Sequence, residues 1–176
     1  MKIRVTYEVT DKITVQLTNY GIYKYSKSFP KAGRLYIIEN QATKRTYYIG
    51  TSQDIKERFN SRIRSMTEFG FSDNQLISIS IYVIQVYSKI GRQLLKPAPP
   101  NDSGKSTVYR IRLDVEKLLI VTATKFFGQN VRNANKFDSF KNPYDQELVW
   151  EFNDTKGHLF STHKWKLPGK GKFPDK

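Results

Sequence analysis

Hydrophobic positions recur with period two at the start of this chain. Ile3, Val5, Tyr7 and Val9 alternate with polar residues, then Ile13, Val15 and Leu17 do the same, with Asp11 and Lys12 between. Period-two runs broken by a polar pair predict a β-hairpin over 1–17. A second pair of short runs, Leu35 to Glu39 and Thr46 to Gly50, brackets the polar turn Asn40 to Arg45 and predicts two antiparallel strands. The pattern then changes to the helical spacing Ile55, Phe59, Ile63, Met66, with Thr51 or Ser52 as the expected N-cap. Leu76 to Tyr87, LISISIYVIQVY, is β-branched and aromatic and predicts a buried third strand.

The region from Gly91 to Thr107 holds Pro97, Pro99, Pro100 and Gly104, the composition of a surface loop. A helix is predicted from Val108 to Phe127, secure from Asp114, a good N-cap, with Gly128 at its C-terminal end. Glu147 to Phe152 and His158 to Trp165 flank Asn153 to Gly157 and predict another hairpin. A Lys-, Gly- and Pro-rich tail follows from Lys164. Three parts result: an N-terminal β extension over 1–33, a core over 34–136, and a C-terminal hairpin with basic tail over 137–176.

Charge adds a partner to this outline. The 176 residues carry 30 Lys and Arg against 16 Asp and Glu, a formal +14. The core segment alone contributes +9 of it. Such an excess attracts polyanions and gains affinity by releasing counterions from phosphates. With no cysteine, a thiolate zinc site, a disulfide framework and a cysteine nucleophile are all excluded. No apolar run approaches the roughly 18 residues that span a membrane, and Met1 to Thr10 is unlike a signal peptide, so a cytoplasmic location is expected. His158 and His163 lack a third ligand of metal spacing and are read as structural. Gly104-Lys105-Ser106 resembles the end of a P-loop, but Pro99 stands where its leading glycine belongs.

Two positions carry unexpected charge. On the helix after Gly50, Arg62 falls inside the apolar stripe and Arg58 at its edge, so both are expected to point toward the sheet. Glu116 shares a face with Leu119, Ile120, Ala123 and Phe127. Inward charges are costly unless they meet an ion or an ion-pair partner.

Taken in order, Tyr36, the tripeptide Tyr48-Ile49-Gly50, Arg58 and Glu116 resemble the landmarks of the GIY-YIG nuclease family over roughly 34–136. Gly21-Ile22-Tyr23 spells the family's first tripeptide but lies too far from Tyr48 for a tight hairpin. Tyr36 is at hairpin distance, with Arg34 and Leu35 in place of Gly and Ile. The resemblance implies an α+β fold: a small three-stranded antiparallel sheet flanked by helices, here with extra N- and C-terminal β elements. It also implies a DNA endonuclease using Mg²⁺ or Mn²⁺ and leaving 5′-phosphate and 3′-hydroxyl ends. A restriction or mobile-element role is the expected one, the protein acting as monomer or homodimer.

The roles implied are Tyr36 as the base acting on water with Tyr48 beside it, Arg58 as a phosphate clamp and Glu116 as metal ligand. Gly50, Ser52, Arg62 and Asn130 would lie near the phosphate, with Asn133 competing for Asn130's place. Many members carry histidine or tyrosine where this chain has Arg62, which stays protonated and cannot be a base. Either Arg62 adds positive charge, or Tyr36 acts alone, or catalysis is impaired. The alternative function is therefore a nucleic-acid-binding module without cleavage.

Overall fold

The structure, a computed structural model, describes residues 2–17, 23–30, 35–52, 54–63, 77–90, 93–95, 105–108, 111–129, 131, 140–154 and 163–172. Strand β1 (Lys2–Leu17) is followed by β2 (Tyr23–Tyr25), β3 (Leu35–Asn40), β4 (Thr46–Thr51) and helix α1 (Ile55–Ile63). Then come β5 (Ile77–Ile90), β6 (Gln93–Leu95), β7 (Lys105–Val108), β8 (Ile111–Asp114), helix α2 (Val115–Phe127), β9 (Glu147–Asn153) and β10 (Lys164–Leu167).

The main sheet runs β10-β9-β1-β5-β3-β4, with β2 added to β1 and β6 to β5; β7 and β8 form a separate hairpin. All neighbours are antiparallel except β1 and β9, which are parallel. This corrects the expected fold class. The described protein is predominantly β, a mixed sheet with two helices among the described residues. The expected three strands do pair in the order β4-β3-β5, but they are only one side of it. Segments 1–33 and 137–176 supply β1, β9 and β10 to that same sheet.

The N-terminal hairpin is likewise corrected. Residues 2–17 form one strand paired with β5 along its length, with a bulge where Val9 faces Ile84 and Asp11 faces Val83, so that Thr10 is extra. The Thr10 hydroxyl donates to the Val83 carbonyl at 3.3 Å. A one-residue bulge swaps the sides to which later side chains point. Ile3, Val5, Tyr7 and Val9 therefore enter one core, while Ile13, Val15 and Leu17 enter another on the opposite face. Strand β5 is buried on both sides: Tyr82, Ile84 and Val86 face the first core, and Ile79, Ile81 and Val83 the second.

Helix α2 fills the first core. Asp114 caps its start by accepting from the Lys117 amide at 2.9 Å, and Gly128 ends it in the left-handed region at φ 59°. The predicted start at Val108 is corrected, because Ile111–Asp114 is strand β8. Both ends of α2 meet β4: Thr51 Oγ1 donates to Glu116 Oε2 at 2.8 Å, and the Thr46 amide to Gln129 Oε1 at 2.9 Å. Its middle meets β9, where Trp150 Nε1 donates to Thr122 Oγ1 at 3.0 Å. Four strand spacings separate β4 from β9, about 19 Å in a flat sheet, against a helix about 10 Å wide. The sheet therefore curls around α2. Helix α1 covers the convex side with Ile55 and Phe59.

Candidate active site at the end of strand β4

Antiparallel pairing of β3 with β4 sets Tyr36 opposite Gly50 and Ile38 opposite Tyr48. Side chains opposite or diagonal across such a pair share a face. Tyr36 and Tyr48 accordingly stack with ring centroids 6.0 Å apart and planes 29° apart. Gly50 is required by this arrangement. A Cβ there would lie 2.4 Å from Tyr48 Cε1 and 3.1 Å from the Tyr36 hydroxyl, so the backbone passes where a side chain would displace a phenol. Tyr48 thus stands beside Tyr36 as expected, and Gly50 packs against both rings. Both rings lie beneath α1 beside Ile55 and Phe59, Tyr36 at 0% exposure and Tyr48 at 8%.

The turn into α1 is longer than the sequence suggested. Asp54, rather than Thr51 or Ser52, caps the helix, its Oδ1 accepting from the Glu57 amide at 2.9 Å. Ser52 supports that cap: its hydroxyl donates to the Asp54 carbonyl at 2.7 Å and accepts from the Asp54 amide at 3.1 Å. The Ser52 hydroxyl is therefore engaged in the turn. Arg58, expected to point toward the sheet, is exposed. Its place at the edge of the stripe lets the guanidinium stay in water, which avoids the cost of burying a charge. Arg62 belongs to α1, but its side chain lies outside the described residues, as do Asn130, Asn133, His158 and Gly104.

Glu116 reaches the same place from the other side. It sits in the first turn of α2, half-buried, and accepts from the Thr51 hydroxyl. Alternation along β4 puts Tyr48 and Gly50 on the convex face and Thr51 on the concave one. The expected single cleft is therefore divided. Two phenols lie on one side of β4 and one carboxylate on the other, meeting at adjacent residues Gly50 and Thr51. Because β4 is the edge strand of the sheet, no further strand among the described residues closes off that meeting point.

A divalent ion would find one carboxylate here. Among the described residues there is no group of three or more His, Asp or Glu to cage a metal. Mg²⁺ is commonly held by one or two carboxylates, with water and substrate phosphates completing its shell. Glu116, ordered by Thr51, is the carboxylate here that would hold such an ion.

The bond from Thr51 to Glu116 and the burial of Glu39 escaped sequence reasoning. Thr51 carries a readable signal: it is the strand-end residue whose alternation opposes Tyr48. Glu39 is fully buried, and Tyr82 donates to its Oε1 at 3.4 Å. Burial first, then the charges of Glu39 and Asp154, push the Tyr82 phenol far above its ordinary value, so it remains a donor. Nothing in the local pattern marks Glu39 as buried, since a strand-end Glu before a polar turn is ordinarily exposed.

No family model, no curated protein and no solved structure matches this chain.

Proposed function

We propose that this protein is a metal-dependent endonuclease that hydrolyses DNA phosphodiesters to 5′-phosphate and 3′-hydroxyl ends. The observation that carries the reading is the gathering of Tyr36, Tyr48, Gly50 and Glu116 around one step of an edge strand, with α1 and Arg58 beginning a turn away. A phosphodiester straddling the edge at Gly50 and Thr51 meets the phenols on one side and the carboxylate on the other. Water forms the new bond to phosphorus as the bond to the 3′ oxygen breaks; its proton passes to Tyr36, which acts in its phenolate form, and the departing 3′ oxygen takes a proton from solvent. The ordinary phenol pKa near 10 makes nearby positive charge necessary for this step. Exposed Arg58 is free to swing onto the phosphate, where its planar fork makes two parallel hydrogen bonds that lysine cannot. Glu116 would hold Mg²⁺ or Mn²⁺, which supplies positive charge to the departing oxygen. The formal +14 supports a nucleic-acid partner, since spread Lys and Arg bind phosphates without regard to sequence.

Burial of Tyr36 favours a second reading, a module that binds nucleic acid without cutting it. The first reading requires α1 to lift from the phenols when DNA binds. Supercoiled plasmid incubated with Mg²⁺ or Mn²⁺ separates the two. Nicking that is abolished by EDTA, by Glu116→Gln and by Tyr36→Phe, and reduced at least tenfold by Arg58→Ala, supports the nuclease. Salt-sensitive binding with no cleavage in any metal leaves the binding module.

A further inference from the structure

Residues 23–29 belong to the N-terminal extension, outside the span that resembles the nuclease family, yet they reach the helix that covers the tyrosine pair. Strand β2 pairs with β1 and sets Tyr25 opposite Val15. The chain beyond it stays fastened to β1. The Ser26 amide donates to the Thr14 carbonyl at 2.8 Å, the Thr14 amide to Ser26 Oγ at 2.9 Å, and Lys27 forms an ion pair with Asp11. Because β1 is itself paired along its length with β5, Tyr25 projects from a fixed base.

Tyr25 shares the convex face with Val15 and packs against that core together with Phe29, whose ring stands edge-on to it at 5.3 Å and 77°. Its hydroxyl donates to Asn60 Oδ1, in the last turn of α1, at 2.6 Å. One turn earlier, Lys56 places Nζ 5.8 Å from the centre of the Tyr25 ring, within reach of the ring's electrostatic attraction. Residues four apart lie on one side of a helix, so Lys56 and Asn60 grip the same phenol, while Ile55 and Phe59 face the core. The helix is thus held in two ways. Apolar contact is non-directional, whereas a hydrogen bond to one phenol fixes one position of α1 and breaks when the helix lifts. The bond is only part-buried, so water can replace it when it opens. Its net contribution is then small and readily reversed, unlike that of the buried bond from Trp150 to Thr122.

We propose that Tyr25 and Asn60 form a latch that sets how often α1 opens from the tyrosine pair, and with it the access of a substrate phosphate to Tyr36. The latch rests on the hydrogen bond for its mechanism and on the nuclease reading for its consequence. Tyr25 touches no reacting atom and acts through α1, so it is a positioning residue. Its removal should speed the reaction, whereas removal of a catalytic group stops it.

The test measures amide exchange on the full chain in EDTA, without DNA. Tyr25→Phe keeps the ring against Phe29 and beside Lys56 and removes the hydroxyl. It is expected to speed exchange of the α1 amides between about twofold and tenfold, the worth of one hydrogen bond, and to leave the α2 amides unchanged. Asn60→Ala also alters the helix's own propensity, so the two substitutions are read as a cycle. In the Asn60→Ala background, Tyr25→Phe should have no further effect. With Mg²⁺ and saturating plasmid, Tyr25→Phe should nick faster by a similar factor, while its affinity for plasmid in EDTA stays at the wild-type value. Exchange in α1 that ignores Tyr25→Phe overturns the proposal, as does an equal effect of Tyr25→Phe in both backgrounds. Faster exchange with an unaltered nicking rate overturns the control of access. If no variant and not the wild type nicks plasmid while the exchange cycle behaves as stated, the latch on α1 stands and only the nuclease reading falls.

Discussion

The concave and convex sides of the sheet are built differently. Around α2, the core draws on β1, β3, β5, β9 and β10 and is fastened by buried hydrogen bonds from Tyr7 to the Val115 carbonyl and from Trp150 to Thr122. Beneath α1, the core is roofed by Ile55 and Phe59 among the described residues. A surface helix gains little from its own hydrogen bonds and relies on the face it buries. The α2 side is therefore the more extensively fastened of the two among the described residues, while the paired tyrosines lie under a cover that Ile55, Phe59 and the Tyr25–Asn60 hydrogen bond hold down. Local opening draws on segments of that kind, and the proposed reaction requires such an opening to reach the buried Tyr36.

The sharpest break of this comparison is a matched pair of deletions, Trp150→Ala and Phe59→Ala. Each removes a fully buried aromatic ring, a change that costs about 3–5 kcal/mol in a well-packed core. Trp150→Ala also removes the indole donor to Thr122 Oγ1 and is expected to lower the whole unfolding transition. Phe59→Ala is expected to act locally. Amide exchange should rise in α1 while α2 stays protected, and the Tyr36 ring should become accessible. Equal loss of protection in both helices would show that the two cores melt as one unit and would end the distinction.

Gly50→Ala probes the convex side with a smaller perturbation. The new methyl overlaps the Tyr48 ring, so Tyr48 must leave its stack with Tyr36. Overpacking of this kind costs about 1–3 kcal/mol. If the stacked pair matters for cleavage, plasmid nicking falls together with the melting temperature. A variant that melts lower but cuts at the wild-type rate would make Gly50 a packing residue alone.

How these regions could be read beforehand differs in the same way. The β3–β4 hairpin, the tyrosine pair, the caps Asp114 and Gly128 and the C-terminal pairing of β9 with β10 depend on residues near one another in sequence, and local patterns reveal them. The central place of β1 does not. It follows from parallel pairing with β9, more than a hundred residues away, and no local pattern encodes that partnership. The hairpin reading failed at Thr10 for a related reason. Its odd-numbered apolar positions keep one parity across the bulge, while the bulge turns the second half to the other face. Glu116 was legible as a carboxylate on an apolar stripe, but its side of the sheet depended on the curl around α2, and so did its separation from the tyrosines. Arg58 at the stripe edge could turn either way, and solvation of its charge turned it outward.

The smallest expected effect tests how tightly the α2 side is closed. Tyr7 is fully buried with its hydroxyl on the Val115 carbonyl at 2.9 Å; burial first, and then the Asp114 charge, raise its phenol well above the ordinary 10.0. In the unfolded chain the phenol ionises near its ordinary value, whereas in the folded protein it stays neutral. Tyr7 therefore leaves stability intact below about pH 10, and stability falls as pH rises above that value, because the unfolded state then holds fewer protons than the native one. Tyr82 on the same side is raised for the same leading reason and adds to the slope. At neutral pH, Tyr7→Phe should cost about 1 kcal/mol for the lost hydrogen bond. Above pH 10 that cost should shrink, since the variant has no phenol to ionise at this position. Urea midpoints at pH 7 and at pH 10.5 check both halves. An unchanged difference between wild type and variant at the two pH values would mean that water reaches the Tyr7 hydroxyl, and that the concave core opens as readily as the convex one.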